Sequence, residues 1–329
     1  MNRDEPRSPA RSTRRAFLHG TAAAVSSPWV AAAFVRAAED QPANSPPARP
    51  AFTAEGNEFH FDTGALRGTL RSQGKSLGLS PVVDSASGTT IARAYGLFSH
   101  YRLLSADARY GHAAWDWGSA ARLLPDGSVE ALWTADAEHP LDLKAVYRWA
   151  APNALDVTTT VTAKQELKRL ESFLASYFEA LPTSLVYVKG CPETGGKPGF
   201  LEAKPSYAVW QMFPRDEEAV KTIQDGRWTR PPNPVDWKIM PALAGPLAMR
   251  RDAASGLAGL VMARPEDCFA VSTPSSGEGH RSIYLSLLGG DLAAGQSATA
   301  RSRLVIAHGI SDEQAIGLYE AYLKEVQGA

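Results

Sequence analysis

Several motifs that identify common classes of enzyme are missing from this chain of 329 residues. There is no Gly-x-Ser-x-Gly nucleophile turn, no glycine-rich phosphate loop and no His-Glu-x-x-His zinc helix. The only cysteines are Cys191 and Cys268, and two cysteines without a histidine cluster cannot form a structural zinc site. The sequence therefore argues against α/β-hydrolases, nucleotide-dependent enzymes and zinc proteins. It predicts no cofactor and leaves metal binding open.

An excess of charge of either sign is also missing. The chain has 34 lysines and arginines against 35 aspartates and glutamates, without a basic stripe or a polybasic run. Nucleic acids and anionic lipids attract proteins that carry such clusters. We therefore expect no nucleic acid among the partners of this protein, and no lipid surface held by charge.

The first 37 residues have the pattern of a twin-arginine export signal. Paired arginines in residues 12–18 (STRRAFL) precede a weakly apolar run at 21–34 and small residues before a cleavage site after Ala37. The run is shorter than the ~20 residues that span a bilayer, so no membrane span is predicted. Cleavage removes six arginines and two acidic residues, which leaves 28 basic and 33 acidic residues, a net charge of −5. The sequence predicts a periplasmic or secreted protein.

Residues 38–50 are rich in proline and polar residues, which predicts a flexible leader before a single domain over residues 51–329. Both cysteines lie in that domain. In an oxidising compartment they can form a disulfide, and two buried free thiols fit the sequence as well.

Most of the domain alternates apolar and polar residues, as is typical of half-buried strands. Residues 141–149 and 155–161 alternate on either side of a tight turn, and Asp126-Gly127 supplies the turn of another hairpin. Further strands are predicted at residues 57–62, 183–189, 257–263, 282–288 and 298–307. We therefore expect a mainly β fold, a large antiparallel β-sandwich.

Helices are predicted at few places. Ser311 can cap a C-terminal helix in which Tyr319 and Leu323 share one face. Residues 165–181 fit either a helix or a strand. Residues 225–246 are rich in proline and glycine, which predicts a long loop and a candidate active-site flap.

Residues 96–118 (GLFSHYRLLSADARYGHAAWDWG) hold the densest set of chemically useful side chains. If residues 97–104 form a strand, His100 and Arg102 point to the same face, because side chains two apart share a face. A second strand at 110–117 would complete a hairpin. The predicted role of His100 and Arg102 is to hold an anionic or hydroxyl group of a ligand.

The second predicted strand carries Tyr110, His112 and Asp116 on one face, with Trp115 and Trp117 on the other. Next to Arg102, this face would combine a cation, an imidazole, a phenol and a carboxylate. Such a set suits acid–base catalysis, with His112 and Tyr110 exchanging protons. An ordinary solvent-exposed face, with the tryptophans in the core, fits the same pattern.

Two further pairs of residues are candidates for a site. Glu171 and Glu179 share a face if they lie in a strand, and paired carboxylates serve glycoside cleavage when their spacing is right. Two unrelated surface glutamates fit the sequence as well. Trp228 and Trp237 lie in the predicted loop, and with Trp115 and Trp117 they are the candidate sugar-binding residues, because flat tryptophan rings pack on the C–H faces of sugars.

Four segments follow one another between residues 109 and 163: YGHAAWDW, PDGSVEALW, LKAVYRW and PNALDVTTTVT. In this order they resemble the galactose mutarotase-like superfamily, the β-supersandwich shared by sugar epimerases, some polysaccharide lyases and some glycosidases. A late segment, IYLSLLGGDLAAGQSATARSRLVI, resembles the closing strand pair of that superfamily. The resemblance implies a supersandwich fold and a carbohydrate ligand.

The chain departs from the epimerases of that superfamily at two places. Gly111-His112 reverses their His-Gly order, and residues 269–274 (FAVSTP) lack their late glutamate before a proline. The resemblance therefore carries over only His112, as a candidate acid. We expect an exported carbohydrate-active protein that hydrolyses or eliminates a glycosidic link. A non-catalytic carbohydrate-binding module and an envelope protein without a small ligand are the alternatives.

Overall fold

The computed structural model describes residues 49–328 of the chain. The export signal predicted for residues 1–37 lies outside the described residues, as does most of the leader predicted for residues 38–50. Both remain predictions. The described range covers nearly all of residues 51–329, for which the sequence predicts a single domain.

Residues 49–328 contain twenty-one strands and two α-helices. The strands are β1 (Thr53–Glu55), β2 (Glu58–Asp62), β3 (Leu66–Arg71), β4 (Gly78–Asp84), β5 (Thr90–Ala92), β6 (Ser99–Leu104), β7 (Arg109–Tyr110), β8 (Ser119–Leu123), β9 (Val129–Trp133), β10 (Leu141–Ala151), β11 (Ala154–Ala163), β12 (Glu171–Tyr177), β13 (Thr183–Val188), β14 (Gly199–Glu202), β15 (Trp210–Pro214), β16 (Lys238–Ile239), β17 (Leu243–Arg251), β18 (Leu257–Ala263), β19 (Cys268–Pro274), β20 (Ser282–Leu288) and β21 (Ser297–His308). The helices are α1 (Glu217–Ile223) and α2 (Asp312–Gln327), and short 3-10 helices span Ala114–Asp116, Pro192–Thr194 and Arg227–Thr229.

The strands form three sheets. Five strands follow the order β1-β2-β3-β4-β5, nine follow β14-β13-β17-β18-β21-β11-β10-β9-β8, and seven follow β16-β15-β19-β20-β12-β6-β7. Paired strands in the described range are antiparallel, apart from the short pair of β15 and β16. The predicted mainly β, antiparallel sandwich is therefore confirmed.

The main core lies between the nine-stranded and seven-stranded sheets. Alternate residues of β10 are fully buried, namely Leu141, Leu143, Ala145, Tyr147 and Trp149. They belong to one apolar cluster with Leu174 of β12 and Leu285 of β20. The alternation seen in the sequence is therefore the alternation between the inside and the outside of the sandwich.

The seven-stranded sheet is buried on both faces. In β12 every residue except Tyr177 is buried. Leu174 faces the main core, whereas Phe173 belongs to a second cluster under α1 and the segment that follows it. A strand buried on both faces lacks a clear polar side. For this reason the pattern of residues 165–181 does not decide between helix and strand.

Helix α2 covers the outer face of the nine-stranded sheet. The Ser311 hydroxyl accepts a hydrogen bond from the Gln314 N–H, which caps the helix as predicted. Tyr319 and Tyr322 are buried against apolar side chains of that sheet, such as Leu260. The predicted C-terminal helix is confirmed. No helix within residues 49–328 is both long and apolar enough to cross a bilayer.

Two local predictions were wrong. The strand predicted at 110–117 ends after Tyr110, because Gly111 takes a positive φ and Ala114–Asp116 forms a 3-10 helix. Residues 225–246 are not one loop, since they contain the 3-10 helix Arg227–Thr229, the short strand β16 and the start of β17.

The two cysteines are free and buried. Cys268 lies in β19, and Cys191 follows β13. Of the two alternatives left open by the sequence, the structure shows the free thiols. Burial raises the pKa of the Cys268 thiol to about 12, which keeps it protonated and chemically inert.

Candidate active site: an aromatic cleft on the seven-stranded sheet

A β-bulge in β6 separates the two residues that were expected to act together. Phe173 of β12 pairs with Arg102, and the next residue, Leu174, pairs with His100, so Tyr101 is an extra residue in β6. The extra residue turns the side chains of His100 and Arg102 to opposite faces of the sheet. The predicted shared face of His100 and Arg102 is therefore wrong.

His100 points into the main core. Its Nε2 lies 3.0 Å from the Thr159 hydroxyl, and its ring packs against Trp133 at 5.4 Å. Burial lowers the pKa of His100 to about 3, so the imidazole is neutral over the physiological range. His100 therefore does not share a ligand site with Arg102, contrary to the prediction.

Residues 225–237, which connect α1 to β16, lie across the outer face of the seven-stranded sheet and are called the strap here. Arg102 Nη2 donates a hydrogen bond to the Asn233 carbonyl at 3.0 Å, and Arg109 donates to the Pro232 carbonyl. From the strap itself, Arg230 Nη2 donates to the Ala106 carbonyl at 2.7 Å. These contacts hold the strap against the loop between β6 and β7.

The strap is also held by a buried ion pair. Arg227 Nη1 lies 3.1 Å from Glu171 Oε2, both side chains are fully buried, and Arg227 Nη2 lies 2.9 Å from Asp225. Burial alone would lower the pKa of the Arg227 guanidinium, but the carboxylates of Glu171 and Asp225 raise it above its ordinary value. Glu171 is therefore an anchor for the strap.

The expected pairing of Glu171 with Glu179 is wrong. Glu179 is exposed and follows the end of β12, whereas Glu171 is buried at its start, under the strap. Glu179 lines a separate surface cavity that is described below. The two carboxylates therefore do not form one site.

Between the strap and the sheet lies a cleft with a volume of about 390 Å³. Aromatic rings from both form most of its wall, namely Tyr101, Phe173, Tyr177, Trp210, Trp228, Trp237 and Tyr284. Trp228 and Trp237 meet edge to face at 5.3 Å, and Phe173 stacks on Tyr284 at 4.6 Å. The structure thus places both candidate loop tryptophans in one concave aromatic surface, which we call the aromatic cleft.

Among the residues that line the aromatic cleft, Arg102 is the single arginine, and there is no lysine. Its guanidinium carbon lies 5.0 Å from the centroid of Tyr101 and 5.2 Å from that of Trp228. Three buried N–H groups of the cleft residues have no partner within residues 49–328: Arg102 Nε, Trp228 Nε1 and Trp237 Nε1. Buried donors normally have a partner, so these three N–H groups are unsatisfied in the described part of the chain.

The remaining candidates from residues 96–118 lie outside the lining of this cleft. Tyr110 is buried and donates a hydrogen bond to the Ser105 hydroxyl at 3.0 Å, and burial raises its pKa. His112 is exposed, with Nδ1 3.3 Å from an Asp116 oxygen, and Lys75 lies 3.3 Å from the same carboxylate. The expected common face of Tyr110, His112 and Asp116 is therefore wrong.

The two tryptophans of residues 96–118 that were predicted to share a face also have different surroundings. Trp115 stacks on Tyr101 at 4.4 Å and on Tyr95 at 5.8 Å, so it extends the aromatic surface beyond the cleft. Trp117 stacks on His139 at 4.1 Å and donates to the Thr134 carbonyl at 3.0 Å. Trp117 therefore has a structural role.

A second cavity, of about 410 Å³, adjoins the aromatic cleft. Its lining contains more charged side chains, namely Glu179, Glu278 and Arg281, and we call it the polar cavity. Tyr177 and His280 line both cavities. These two residues therefore mark the junction between an aromatic and a polar compartment.

His280 forms an acid–base pair with Glu278 at this junction. Its Nδ1 lies 2.9 and 3.0 Å from the two Glu278 oxygens, and its ring meets Trp210 edge to face at 5.5 Å. Burial alone would raise the pKa of Glu278, but its hydrogen bonds with the His280 ring and backbone lower it. The hydrogen bonds of the His280 ring within residues 49–328 use Nδ1, so Nε2 has no partner there.

Tyr177 is the second proton-bearing group at the junction. Its hydroxyl accepts a long hydrogen bond of 3.5 Å from Tyr284, which in turn accepts one of 2.7 Å from Ser282. Burial, the nearby Tyr284 and their hydrogen bond raise the pKa of Tyr177 far above its ordinary value. Tyr177 therefore stays protonated and is suited to donate a hydrogen bond.

The site residues that were not predicted from the sequence are His280, Tyr177, Trp210 and Tyr284. Phe173 and Tyr177 are four residues apart, which matches one face of a strand, but the choice of strand over helix was open. The Glu-Gly-His sequence at 278–280 in a glycine-rich turn was the one local signal for the pair. Within residues 49–328 no group of three or more histidine, cysteine, aspartate or glutamate side chains is placed to hold a metal ion.

Another cavity, of about 340 Å³, lies between α2 and the outer face of the nine-stranded sheet. Its lining includes Arg148, Asp156, Thr158 and Arg301, and Tyr322 is its single aromatic residue. It lacks both the aromatic wall and an acid–base pair, so we take the aromatic cleft as the candidate site.

No family model matches the chain, and no curated protein matches it. Similar solved structures include a galactose mutarotase related enzyme from Lactobacillus acidophilus, with a TM-score of 0.46, 8% identity, and coverage of 78% of this chain and 99% of that one. A galactose 1-epimerase from the same organism has a TM-score of 0.44 and 12% identity, and the match covers 79% of this chain and 98% of that one.

An alpha-N-acetylgalactosaminidase from Bifidobacterium bifidum is also similar. Its TM-score is 0.45 with 11% identity, and the match covers 83% of this chain but 39% of that one. TM-scores below 0.5 at identities near a tenth are too low to assign the chain to a family or an activity. The functional proposal therefore depends on the cleft itself.

Proposed function

We propose that this protein binds a carbohydrate in the aromatic cleft and cleaves it by acid–base chemistry at the junction with the polar cavity. The observation that carries the proposal is the His280–Glu278 pair, which lies beside a concave aromatic surface. Aromatic rings bind the C–H faces of sugars, and tryptophan N–H groups bind sugar hydroxyls. In this proposal one sugar ring packs against the rings of Trp228 and Trp237.

The two adjoining cavities correspond to two neighbouring sugar units. The link between the two units then lies at the junction, next to His280 and Tyr177. His280 Nε2 carries the proton that the departing oxygen receives, with Glu278 holding the imidazole in place, and Tyr177 donates a hydrogen bond to that oxygen. Hydrolysis adds water across the link, whereas elimination removes a ring proton and forms a double bond. Both are compatible with this set of groups.

We also propose that the protein acts outside the cytoplasm after twin-arginine export. The support is the pattern of residues 1–37, which lie outside the described residues. Cell fractionation that finds the protein only in the cytoplasm would remove this part of the proposal.

The test is a screen of the purified full-length protein against oligosaccharides, with new reducing ends and new ultraviolet-absorbing double bonds read together. New reducing ends alone indicate hydrolysis, and both signals together indicate elimination. We expect His280→Ala to lower turnover by roughly 10²-fold or more, the usual contribution of a general acid or base. Tyr177→Phe should also lower turnover and leave binding largely intact.

His112→Ala is the matched control. His112 is likewise an exposed histidine with Nδ1 facing a carboxylate, but it lies outside the lining of the aromatic cleft. Full turnover in His112→Ala with loss in His280→Ala supports the proposed site. The reverse result would reject it and support the role that the sequence predicts for His112.

A non-catalytic carbohydrate-binding protein is the second candidate. It is favoured by one observation, that none of the residues lining the aromatic cleft is acidic. In that case glycans raise the melting temperature without being turned over, and Trp228→Ala removes this effect while His280→Ala does not.

A further inference from the structure

Among the described residues, Arg102 is a buried charge without a partner of opposite charge. Its exposed fraction is 5%, and it forms no ion pair with a carboxylate of residues 49–328. Nη2 is bound to the Asn233 carbonyl, and Nε has no partner there. Burying a charge is costly unless an opposite charge or several hydrogen bonds offset it. A single hydrogen bond to a carbonyl offsets only part of the desolvation cost of Arg102.

A carboxylate of the neighbouring strand β12, on the same face of the sheet as Arg102, is already bound. Glu171 of β12 pairs with Leu104 of β6, and Leu104 is two residues after Arg102 in the same strand. Its charge is matched by Arg227 at 3.1 Å, and Arg227 also holds Asp225. The buried carboxylate of Glu171 is therefore paired with Arg227 and not with Arg102.

A second arginine adds to the positive charge. Arg109 of β7 donates hydrogen bonds to the carbonyls of His112 and Pro232, and its Nε is buried without a partner in the described chain. Burial and the neighbouring charge of Arg102 lower the pKa of Arg109 to about 10. The two guanidinium groups therefore repel each other, and an anion bound at Arg102 would relieve that repulsion.

The aromatic neighbours orient Arg102 without neutralising it. Tyr101 and Trp228 lie about equally far from its guanidinium carbon, at 5.0 and 5.2 Å. Rings hold a flat guanidinium by cation–π attraction, and its N–H edge matches the oxygens of a carboxylate, sulfate or phosphate. Because Arg102 also lines the aromatic cleft, such an edge is available to a ligand there.

We propose that the aromatic cleft selects an acidic sugar, whose anionic group binds Arg102 while its ring packs against Trp228 and Trp237. This rests on the proposed function, since it names the class of carbohydrate that the same cleft takes. The shared chemistry is a planar or tetrahedral oxyanion on a sugar ring. A uronic carboxylate and a sugar sulfate are its two sources.

The test is calorimetric binding of three matched oligosaccharides to the purified full-length protein. They are a uronic acid trisaccharide, the same trisaccharide with its carboxyl groups reduced to alcohols, and an O-sulfated form of the reduced one. We expect an acidic ligand to bind ~10- to 100-fold more tightly than the reduced one, as for a charge-assisted hydrogen bond pair. Raising the salt concentration should narrow the difference.

Two variants assign the preference to Arg102. Arg102→Gln should lose the preference for the acidic ligand while it keeps the affinity for the reduced one. Arg102→Lys should keep part of the preference, because it retains the charge without the planar fork. Arg109→Gln is the matched control: it removes a nearby arginine that does not line the cleft, and it should keep most of the preference.

The outcomes separate this inference from the proposed function. If the wild-type protein binds the reduced and acidic ligands equally, the cleft binds carbohydrate but the selectivity proposal is overturned. Unchanged selectivity in Arg102→Gln also overturns it. If no oligosaccharide binds to the folded wild-type protein, both proposals fail. Preference for the carboxylate or for the sulfate identifies the source of the anion.

Discussion

Arg303 and Arg102 lie on the outer faces of the two large sheets, and both are buried beside an aromatic ring. Arg303 lies 5.0 Å from Tyr322, and its nitrogens lie 2.6 Å from Asp156 and 2.8 Å from Glu325. Burial alone would lower the pKa of Arg303, but its two carboxylate partners raise it. Arg102 has the aromatic contacts but makes no ion pair with a carboxylate of residues 49–328. Similar packing therefore serves two purposes: Arg303 fixes α2 to its sheet, and Arg102 remains free to bind an anion.

The surroundings of the two arginines differ in the same way. The face around Arg303 is covered by α2, and the cavity that Arg303 lines there also contains its partners Asp156 and Glu325. The face around Arg102 is covered by the strap, which leaves a cleft between itself and the sheet. The strap stays in place because Arg227 is fully neutralised by Glu171 and Asp225. Of these three arginines, Arg227 and Arg303 are paired with carboxylates, and Arg102 has no carboxylate partner within residues 49–328.

The largest effect is expected from Arg227→Met, which leaves the Glu171 carboxylate buried without its partner. Removing one member of a buried ion pair costs about 3–5 kcal/mol of unfolding free energy. Urea denaturation of the variant and the wild type measures this loss. The double variant Arg227→Met/Glu171→Gln should recover part of it. A loss of less than about 1 kcal/mol would mean that the strap does not depend on this pair.

The next largest effect concerns the opposite side of β6, where His100 faces the core. In the folded protein its pKa is lowered to about 3, whereas an unfolded chain takes up the proton near 6.5. Between these values the unfolded state binds more protons, so the stability present above pH 6.5 is lost as the pH falls. One proton changes the free energy of unfolding by about 1.4 kcal/mol per pH unit.

Urea denaturation at several pH values between about 7 and about 4 tests this, because most of that interval lies between the folded and unfolded pKa values of His100. His100→Gln should lose this part of the pH dependence, because glutamine does not titrate. His112→Gln changes an exposed histidine and should follow the wild type. An equal slope in His100→Gln and the wild type would show that His100 isn't the residue responsible.

The smallest effect separates Arg303 from Arg102 directly. Arg303→Met should lower the free energy of unfolding by about 2 kcal/mol, since charge-assisted hydrogen bonds to Asp156 and Glu325 are lost. Arg102→Met should change it by less than about 1 kcal/mol, because an unpaired buried charge is removed together with its desolvation cost. Thermal or urea unfolding of both variants gives the comparison. Equal losses would place Arg102 among the structural arginines.

Strand alternation could be predicted from the sequence because it is local. The alternation in residues 141–149 and the Asp126-Gly127 turn each need only a few neighbouring residues, and the turn glycine does take a positive φ of 78°. The Ser311 cap is local in the same sense. These features hold in the structure as the sequence predicts.

The site could be predicted only in part. Arg102, Trp228 and Trp237 were named from the sequence, and the structure brings them into one cleft. His100 and Glu171 were named as well, but a single extra residue in β6 and one ion pair with the strap place them in buried structural roles. A bulge depends on how two strands pair, and no residue pattern within β6 alone reveals it.

By itself, the sequence determined the mainly β character of the domain, its C-terminal helix and the presence of tryptophans and arginines that can form a site. Only the tertiary structure decided which arginine is neutralised and which is free. The reason is physical: the charge state of a site depends on partners brought together through space. Arg227 meets Glu171 across 56 residues of chain, Arg303 meets Asp156 across 147, and Arg102 meets no carboxylate within residues 49–328.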